Sequence, residues 1–329
     1  MRRFISVAGF LCVFIILLSL LDISYGDAAM IKKGLISNRD LVVAQLETEE
    51  PDQIDVLCVG NSLGFCSVNP MELYKNYGIT SYVASTAMQT PLETYYVIQK
   101  ALKRHPIKVI LWEANNIAQG STDPVWVTSA FLAEAIKYRH PFLRYHNAWC
   151  KKVNGFTPRP NFKGYVINEV VQPYIGGEYY NNVGTDAAEI RGEGLYFFDK
   201  IKKLCDENHI QLVLYTNPSP LCYRPAQNRG IQKFAKEKGV DYLNGEADVE
   251  QIGIDWSRDT YDKGDHLNLD GAKKMTDYIG RYLADEQELE DHRGDAAYRT
   301  WNELYTAYEQ EAERMKGTAY YRLEEQACK

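Results

Sequence analysis

The sequence predicts an α/β protein in three layers, a parallel sheet with helices on both faces, preceded by one N-terminal transmembrane helix. Three observations lead there. Short apolar runs of strand length alternate with amphipathic stretches of helix length, which implies parallel strands joined by crossing helices. Residues 4–21 carry no charge and almost no polar side chain. The remainder of the 329 residues, 45% of the chain being hydrophobic, suffices for one sizeable core.

The elements follow in order. Arg2 and Arg3 precede the apolar run Phe4–Leu21, which at 1.5 Å rise per residue is roughly 27 Å long, close to the bilayer core of about 30 Å. The leading arginines favour the cytoplasmic side, which puts the chain beyond residue 27 outside. Ser24-Tyr25-Gly26 offers the alternative of a cleaved signal peptide, but the run exceeds the usual h-region of about 7–15 residues. Residues 1–26 therefore read as a signal anchor and 27–53 as a polar stalk with a short helix. From residue 54 to 284 the alternation gives strands at Asp55–Gly60, Ile79–Ala84, Ile107–Trp112, Ile210–Tyr215 and Val240–Leu243. Helices are expected at Pro70–Tyr77, Pro91–Arg104, Gly194–Asn208, Ala226–Lys238 and Gly271–Leu283. An insertion, residues 117–188, is rich in Trp, Tyr, Arg, Pro, Asn and Gly, and reads as irregular and functional. Residues 285–329 form a charged tail, and from Ala297 through Trp301, Leu304, Tyr305, Tyr308, Ala312 and Met315 runs a helical stripe suited to packing on the domain.

Composition narrows the function. A net charge of −7 argues against nucleic acid, whose phosphates need a basic footprint. The seven cysteines form no CxxC pair and no metal-ligand spacing, so neither a metal site nor a cofactor is expected. Cys58 and Cys205 suit small apolar positions rather than a disulfide framework. The 24 tyrosines fit a sugar-binding cleft or interface as well as ordinary half-buried surface.

Two short motifs carry the chemistry. Gly60-Asn61-Ser62 ends the first strand, and Asp265-His266-Leu267-Asn268 precedes the last helix. In a parallel sheet both positions fall at the carboxyl edge, where sites form. A serine needs a base within hydrogen-bond reach and a third group to orient that base. Of six histidines, His266 alone lies between acids, Asp262 and Asp265, and a helix start. Amides near Ser62, such as that of Leu63, are candidate oxyanion donors. The insertion adds a basic-aromatic cluster with Arg144 and His146, able to grip a substrate or a partner.

These blocks resemble the SGNH (GDSL-like) hydrolase superfamily over roughly residues 54–284. Gly60-Asn61-Ser62 stands for its Gly-Asp-Ser block, with Asn61 in place of aspartate, and Asp262-Lys263-Gly264-Asp265-His266 for its Asp-x-x-His block, with one residue too many. The third triad member is thus Asp262, slightly favoured, or Asp265. The superfamily's remaining blocks supply a glycine and an asparagine as oxyanion donors. Here Ser85, Thr86 or Gln89 stands in for the glycine, and Asn115 and Asn116 fall at the asparagine's edge. The resemblance implies a flavodoxin-like fold, a serine acyl-enzyme and no cofactor. With the apolar N-terminus it is similar to the membrane-anchored group that works in the cell envelope beside membrane-bound O-acyltransferases. That implies an extracytoplasmic O-acyltransferase or esterase acting on a cell-surface polysaccharide or other acyl ester. A non-catalytic glycan- or partner-binding relative is the alternative reading.

Overall fold

The computed structural model describes residues 2–119, 121–145 and 161–327. Five parallel strands make one sheet: β1 (Val56–Val59), β2 (Ser81–Val83), β3 (Val109–Glu113), β4 (Gln211–Thr216) and β5 (Asp241–Asn244), in the spatial order β2-β1-β3-β4-β5. The helices are α1 (Arg2–Ser24), α2 (Asp27–Lys33), α3 (Asn38–Gln45), α4 (Ser62–Phe65), α5 (Pro70–Tyr77), α6 (Pro91–Ala101), α7 (Pro124–Arg139), α8 (Pro141–Arg144), α9 (Gly192–Glu207), α10 (Pro225–Lys238), α11 (Val249–Ile252), α12 (Leu269–Glu286) and α13 (Arg299–Ala327).

Alternation along the central strands splits the core in two. Leu57, Val59, Ile110, Trp112, Leu212 and Leu214 face α6, α9 and α10, where Val97, Ile98, Phe198, Ile201, Ile231 and Phe234 meet them. Val56, Cys58, Val109, Leu111, Val213 and Tyr215 face the other way, against Leu73 of α5 and Met275, Ile279 and Leu283 of α12. The three layers follow: helices, sheet, helices. Local chemistry sets the helix ends. Thr90 and Glu93 form a reciprocal capping box at the start of α6, and Asn69 caps α5 ahead of Pro70. Gly78 and Gly239 end α5 and α10 in the left-handed conformation.

The stalk and the insertion differ from expectation. The residues read as a polar stalk, 27–53, fold as α2, α3 and a short 3-10 turn, and Met30, Ile36, Val43, Ala44 and Leu46 are buried. Their attachment is also ionic, because buried Asp27 pairs with Lys100 of α6 and takes the Tyr145 hydroxyl. The insertion read as irregular contains the sixteen-residue helix α7, begun by Asp123, whose carboxylate accepts the Val125 and Trp126 amides. No residue of α7 is buried. The charged tail is mostly α13, and its stripe packs on the domain: Trp301, Tyr308 and Ala312 meet Met71, Tyr74, Phe162, Tyr165, Leu269 and Ala272. Tyr308 donates to Glu72 at 2.8 Å and accepts from the Asn69 side chain at 2.9 Å, joining α13 to the cap of α5.

At the N-terminus, Phe10, Phe14, Ile15, Ile16 and Leu20 of α1 are exposed. Among the described residues no single helix is long and apolar enough to cross a membrane, although Gly9–Ser24 and Asp27–Lys33, bent by 46°, are so as a pair. The foot of α1 is fastened to α8, since Asp22 accepts from His140 Nδ1 at 2.7 Å and from the Phe142 amide at 3.3 Å.

Trp301 is fully buried between α13 and the domain. Trp301→Ala is expected to lower the unfolding free energy by about 3–5 kcal/mol, measured by urea denaturation followed by circular dichroism.

Candidate active site

The first strand delivers the serine. β1 ends at Val59, Gly60 adopts φ 139°, and Asn61 then caps α4, whose first residue is Ser62. A Cβ on Gly60 would lie 2.6 Å from Glu113 Cβ, so both the backbone angle and the packing on β3 require glycine here. Gly64 is held as closely, its missing Cβ falling 2.6 Å from Ser85 Oγ. The serine turn therefore lies directly against the segment that follows β2.

The histidine arrives from the other end of the chain. Ser62 Oγ lies 2.8 Å from His266 Nε2, across 204 residues of sequence. His266 Nδ1 lies 2.6 Å from Asp262 Oδ2, while Asp262 Oδ1 accepts the amides of Asp265 at 3.2 Å and of His266 at 2.7 Å. With Nδ1–H donated to the carboxylate, Nε2 carries the lone pair that accepts the serine proton. The extra residue of this block is absorbed by a turn in which Lys263 and Gly264 take φ 68° and 100°. Asp265 sits farther off, Oδ2 at 3.5 Å from Nδ1. Its Oδ1 accepts from Cys222 Sγ at 2.9 Å, and burial pushes that thiol up to about 12, so it remains a protonated donor. The imidazole is parallel to two neighbours, Phe65 with ring centres 6.2 Å apart and Tyr261 at 5.5 Å.

The candidate oxyanion donors separate into two sets. Ser85 Oγ and Asn115 Nδ2 are buried and have no hydrogen-bond partner among the described residues, which leaves both available to a ligand atom. Asn115 is oriented by Gln227 Nε2, which donates to its Oδ1 at 3.2 Å. The other expected donors are already engaged. The Leu63 amide is donated to Asn61 Oδ1 at 2.9 Å, because Asn61 is the cap of α4. Gln89 is a clamp whose amide nitrogen donates to Ala84 O and Thr86 Oγ1 and whose oxygen accepts from Gly60 N and Thr94 Oγ1. Asn116 accepts from Trp112 Nε1 at 2.7 Å and donates to Gln89 O and Thr94 Oγ1. These three build the floor of the site.

Arg144 lies elsewhere, its guanidinium over the rings of Tyr138 and Tyr145 and 3.5 Å from Asp40. That places it in the α3–α8 cluster rather than beside Ser62. His146 lies outside the described residues. From the same insertion, Tyr174 packs against Gly264 of the histidine loop and against Trp256 and Tyr179, which in turn meets Tyr223.

Sequence reasoning missed two buried carboxyls. Glu113 closes β3 under the serine turn, and its Oε1 accepts the Asn115 amide at 3.1 Å while Oε2 is unpartnered. Glu246 accepts the Tyr179 hydroxyl at 2.7 Å and the Ser219 amide at 3.2 Å. Burial raises each to about 8 despite these hydrogen bonds, so both are held as neutral acids in the folded protein. For Glu113 the available signal was an acid ending an otherwise apolar strand.

No protein-family model matches the sequence. No curated protein matches it either. Among solved structures the chain is similar to a candidate acylhydrolase from Bacteroides fragilis, at 13% identity and a TM-score of 0.39, over 73% of this chain and 92% of that one. It is similar to a candidate lipolytic protein of the G-D-S-L family from Desulfitobacterium hafniense, at 15% identity and a TM-score of 0.36, over 69% and 98%. A third likeness is to a structure described as a candidate platelet activating factor from Streptococcus pneumoniae, at 11% identity and a TM-score of 0.38, over 78% and 97%. Likenesses of this size carry no argument about chemistry, which rests on the side chains themselves.

The sign of the Glu113 shift fixes a pH dependence. Its folded-state value of about 8 lies above the ordinary 4.5, so the unfolded chain releases this proton first as pH rises. The contribution of this group to stability is full below about 4.5 and is lost as pH climbs toward about 8, by up to about 1.4 kcal/mol per pH unit for each such group. Glu113→Gln is expected to flatten this decline in denaturation curves taken from pH 5 to 8.5, leaving the share that belongs to Glu246.

Proposed function

We propose that the chain is a serine-dependent acyl hydrolase or O-acyltransferase of the SGNH type, acting on acyl esters at the cell envelope. The observation that carries this reading is the relay from Ser62 Oγ through His266 to Asp262, at 2.8 Å and 2.6 Å. A binding protein that had lost its chemistry has no need to hold this geometry, and a gap beyond about 6 Å would have favoured that alternative.

In the proposed reaction Ser62 Oγ attacks the acyl carbonyl while His266 Nε2 takes its proton. Asp262 keeps the imidazole in the tautomer this requires and stabilises the imidazolium that forms. Ser85 Oγ and Asn115 Nδ2 donate to the developing oxyanion. His266 then returns the proton to the leaving oxygen, which departs and leaves an acyl-Ser62 ester. Water or a sugar hydroxyl, deprotonated by His266, attacks that ester and regenerates the serine. Transfer to a cell-surface polysaccharide is favoured by the aromatic group of Tyr174, Tyr179, Tyr223 and Trp256 beside the histidine loop, since such rings suit sugar faces. Anchoring at the outer face of a membrane is suggested by the exposed apolar side chains of α1 behind Arg2 and Arg3. A membrane-bound O-acyltransferase would then be a natural donor partner.

Hydrolysis of p-nitrophenyl esters by the full-length chain tests the reading. Ser62→Ala and His266→Ala are each expected to lose at least about 10³-fold in kcat. Asp262→Asn is expected to lose about 10²–10⁴-fold, against less than about tenfold for Asp265→Asn. Full activity in Ser62→Ala would overturn it.

A further inference from the structure

A cavity of about 850 Å³ opens beside the triad, within the range of about 300–1,000 Å³ usual for small-molecule sites. Its wall includes Tyr261 and Leu267, which adjoin Asp262 and His266 in sequence, and Phe65, three residues beyond Ser62 on α4 and stacked on the His266 ring. Ser85, with its unpartnered hydroxyl, is part of the same wall. A carbonyl seated between Ser62 and Ser85 would therefore have this cavity next to it.

The lining is mostly apolar, with Thr86 and Asn168 as polar exceptions beside Ser85. Phe162, Tyr165, Ile167 and Val170 come from the later part of the insertion, and Met315 comes from α13, outside the doubly wound core. Three lining residues carry charge, and all are paired. Arg39 holds Glu93 at 2.8 Å, and Arg314 holds Glu311 at 2.7 Å. The Cys66 thiol is kept neutral by burial. Among the described lining residues no cation is left to receive a carboxylate or phosphate, so the cavity suits an uncharged chain. An acetyl group would leave nearly all of this apolar wall wet.

We propose that this cavity is an acyl-chain site and that the ester used by this protein carries a medium-length aliphatic acyl group rather than acetyl. The proposal rests on the serine chemistry above and names the substrate class for it. Each methylene moved from water into such a wall improves binding about fourfold, the equivalent of about 0.8 kcal/mol. α13 then has a second use besides stability, because Glu311, Arg314 and Met315 close one side of the chain site.

The test is a p-nitrophenyl ester series, acetate, butyrate, octanoate and decanoate, on the full-length chain at one fixed detergent concentration. Wild type is compared with Val166→Trp and Ala87→Trp, two substitutions at exposed positions on different parts of the wall. The expected result is a rise in kcat/KM of at least about tenfold from acetate to octanoate, with the octanoate-to-acetate ratio falling at least about tenfold in both variants. A wild type that turns over acetate with a flat or declining series overturns the chain site and leaves the serine reading standing. Binding of 1-decanol to Ser62→Ala, followed by calorimetry, separates the two ideas without turnover. Binding abolished by adding Val166→Trp supports the chain site even when no ester is cleaved, in which case only the serine reading falls. Binding that is absent, or indifferent to Val166→Trp, overturns the chain site.

Discussion

The carboxylate of Asp262 holds together the part of this protein on which the proposed chemistry depends. One oxygen takes two successive amides, of Asp265 and His266, and thereby fixes the backbone of the loop. The other takes His266 Nδ1 and fixes the ring. A hydrogen bond to an ionised acceptor is stronger than a neutral one, so a single side chain sets both the position and the tautomer of the base. The rest of the loop between the isolated bridge partners Thr260 and Leu267 is tied to its surroundings, with Lys263 N donating to Gln172 O at 3.1 Å and Ser219 Oγ to Asp265 O at 2.8 Å. Phe65 and Tyr261 then restrict rotation of the imidazole, one from the serine helix and one from the histidine loop.

The sheet brings the two ends of the site together. β1 and β3 lie side by side in the middle, so the turn after β1 and the end of β3 necessarily touch, and Gly60 and Gly64 allow that contact to be close. Beneath it the protein keeps polar groups that a simple core would not. Glu113 Oε2, Ser85 Oγ, Asn115 Nδ2 and both side-chain polar atoms of Asn217 are buried without partners. Each such group costs stability, and a concentration of them at one sheet edge marks a place kept for something other than folding. Neutral Glu113 is part of this, since an ionised carboxyl there would oppose the negative charge that the proposed reaction develops above it.

The alternation of apolar runs with amphipathic stretches placed all five strands to within about two residues, because burial on both faces of β1, β2, β3 and most of β4 leaves little choice of residue type. Ser62 and His266 were legible for a similar reason: a turn glycine after a buried strand and a histidine beside acids at a helix start are local patterns. The partner of His266 was less so. Adjacent Asp265 and more distant Asp262 both satisfy a spacing rule, and only the positive-φ turn at Lys263-Gly264, together with the hold of Cys222 on Asp265, separates them. The oxyanion donors could not be ranked from sequence. Whether Leu63, Gln89 or Asn116 is free depends on contacts with Asn61, Thr94 and Trp112 that no spacing encodes. The docking of 27–53 was hidden for a related reason. Its apolar residues are interspersed with charges, and the burial of Asp27 makes sense only once Lys100 and Tyr145 are known to face it.

The proposed chemistry makes Ser62 a nucleophile activated by His266. It is tested most directly by treating the full-length chain with a fluorophosphonate and measuring intact and peptide masses. The account predicts one covalent adduct, on the peptide containing Ser62, absent from Ser62→Ala and formed at least about 10²-fold more slowly in His266→Ala. No adduct at any concentration, or an adduct on another residue with Ser62 unmodified, would contradict it.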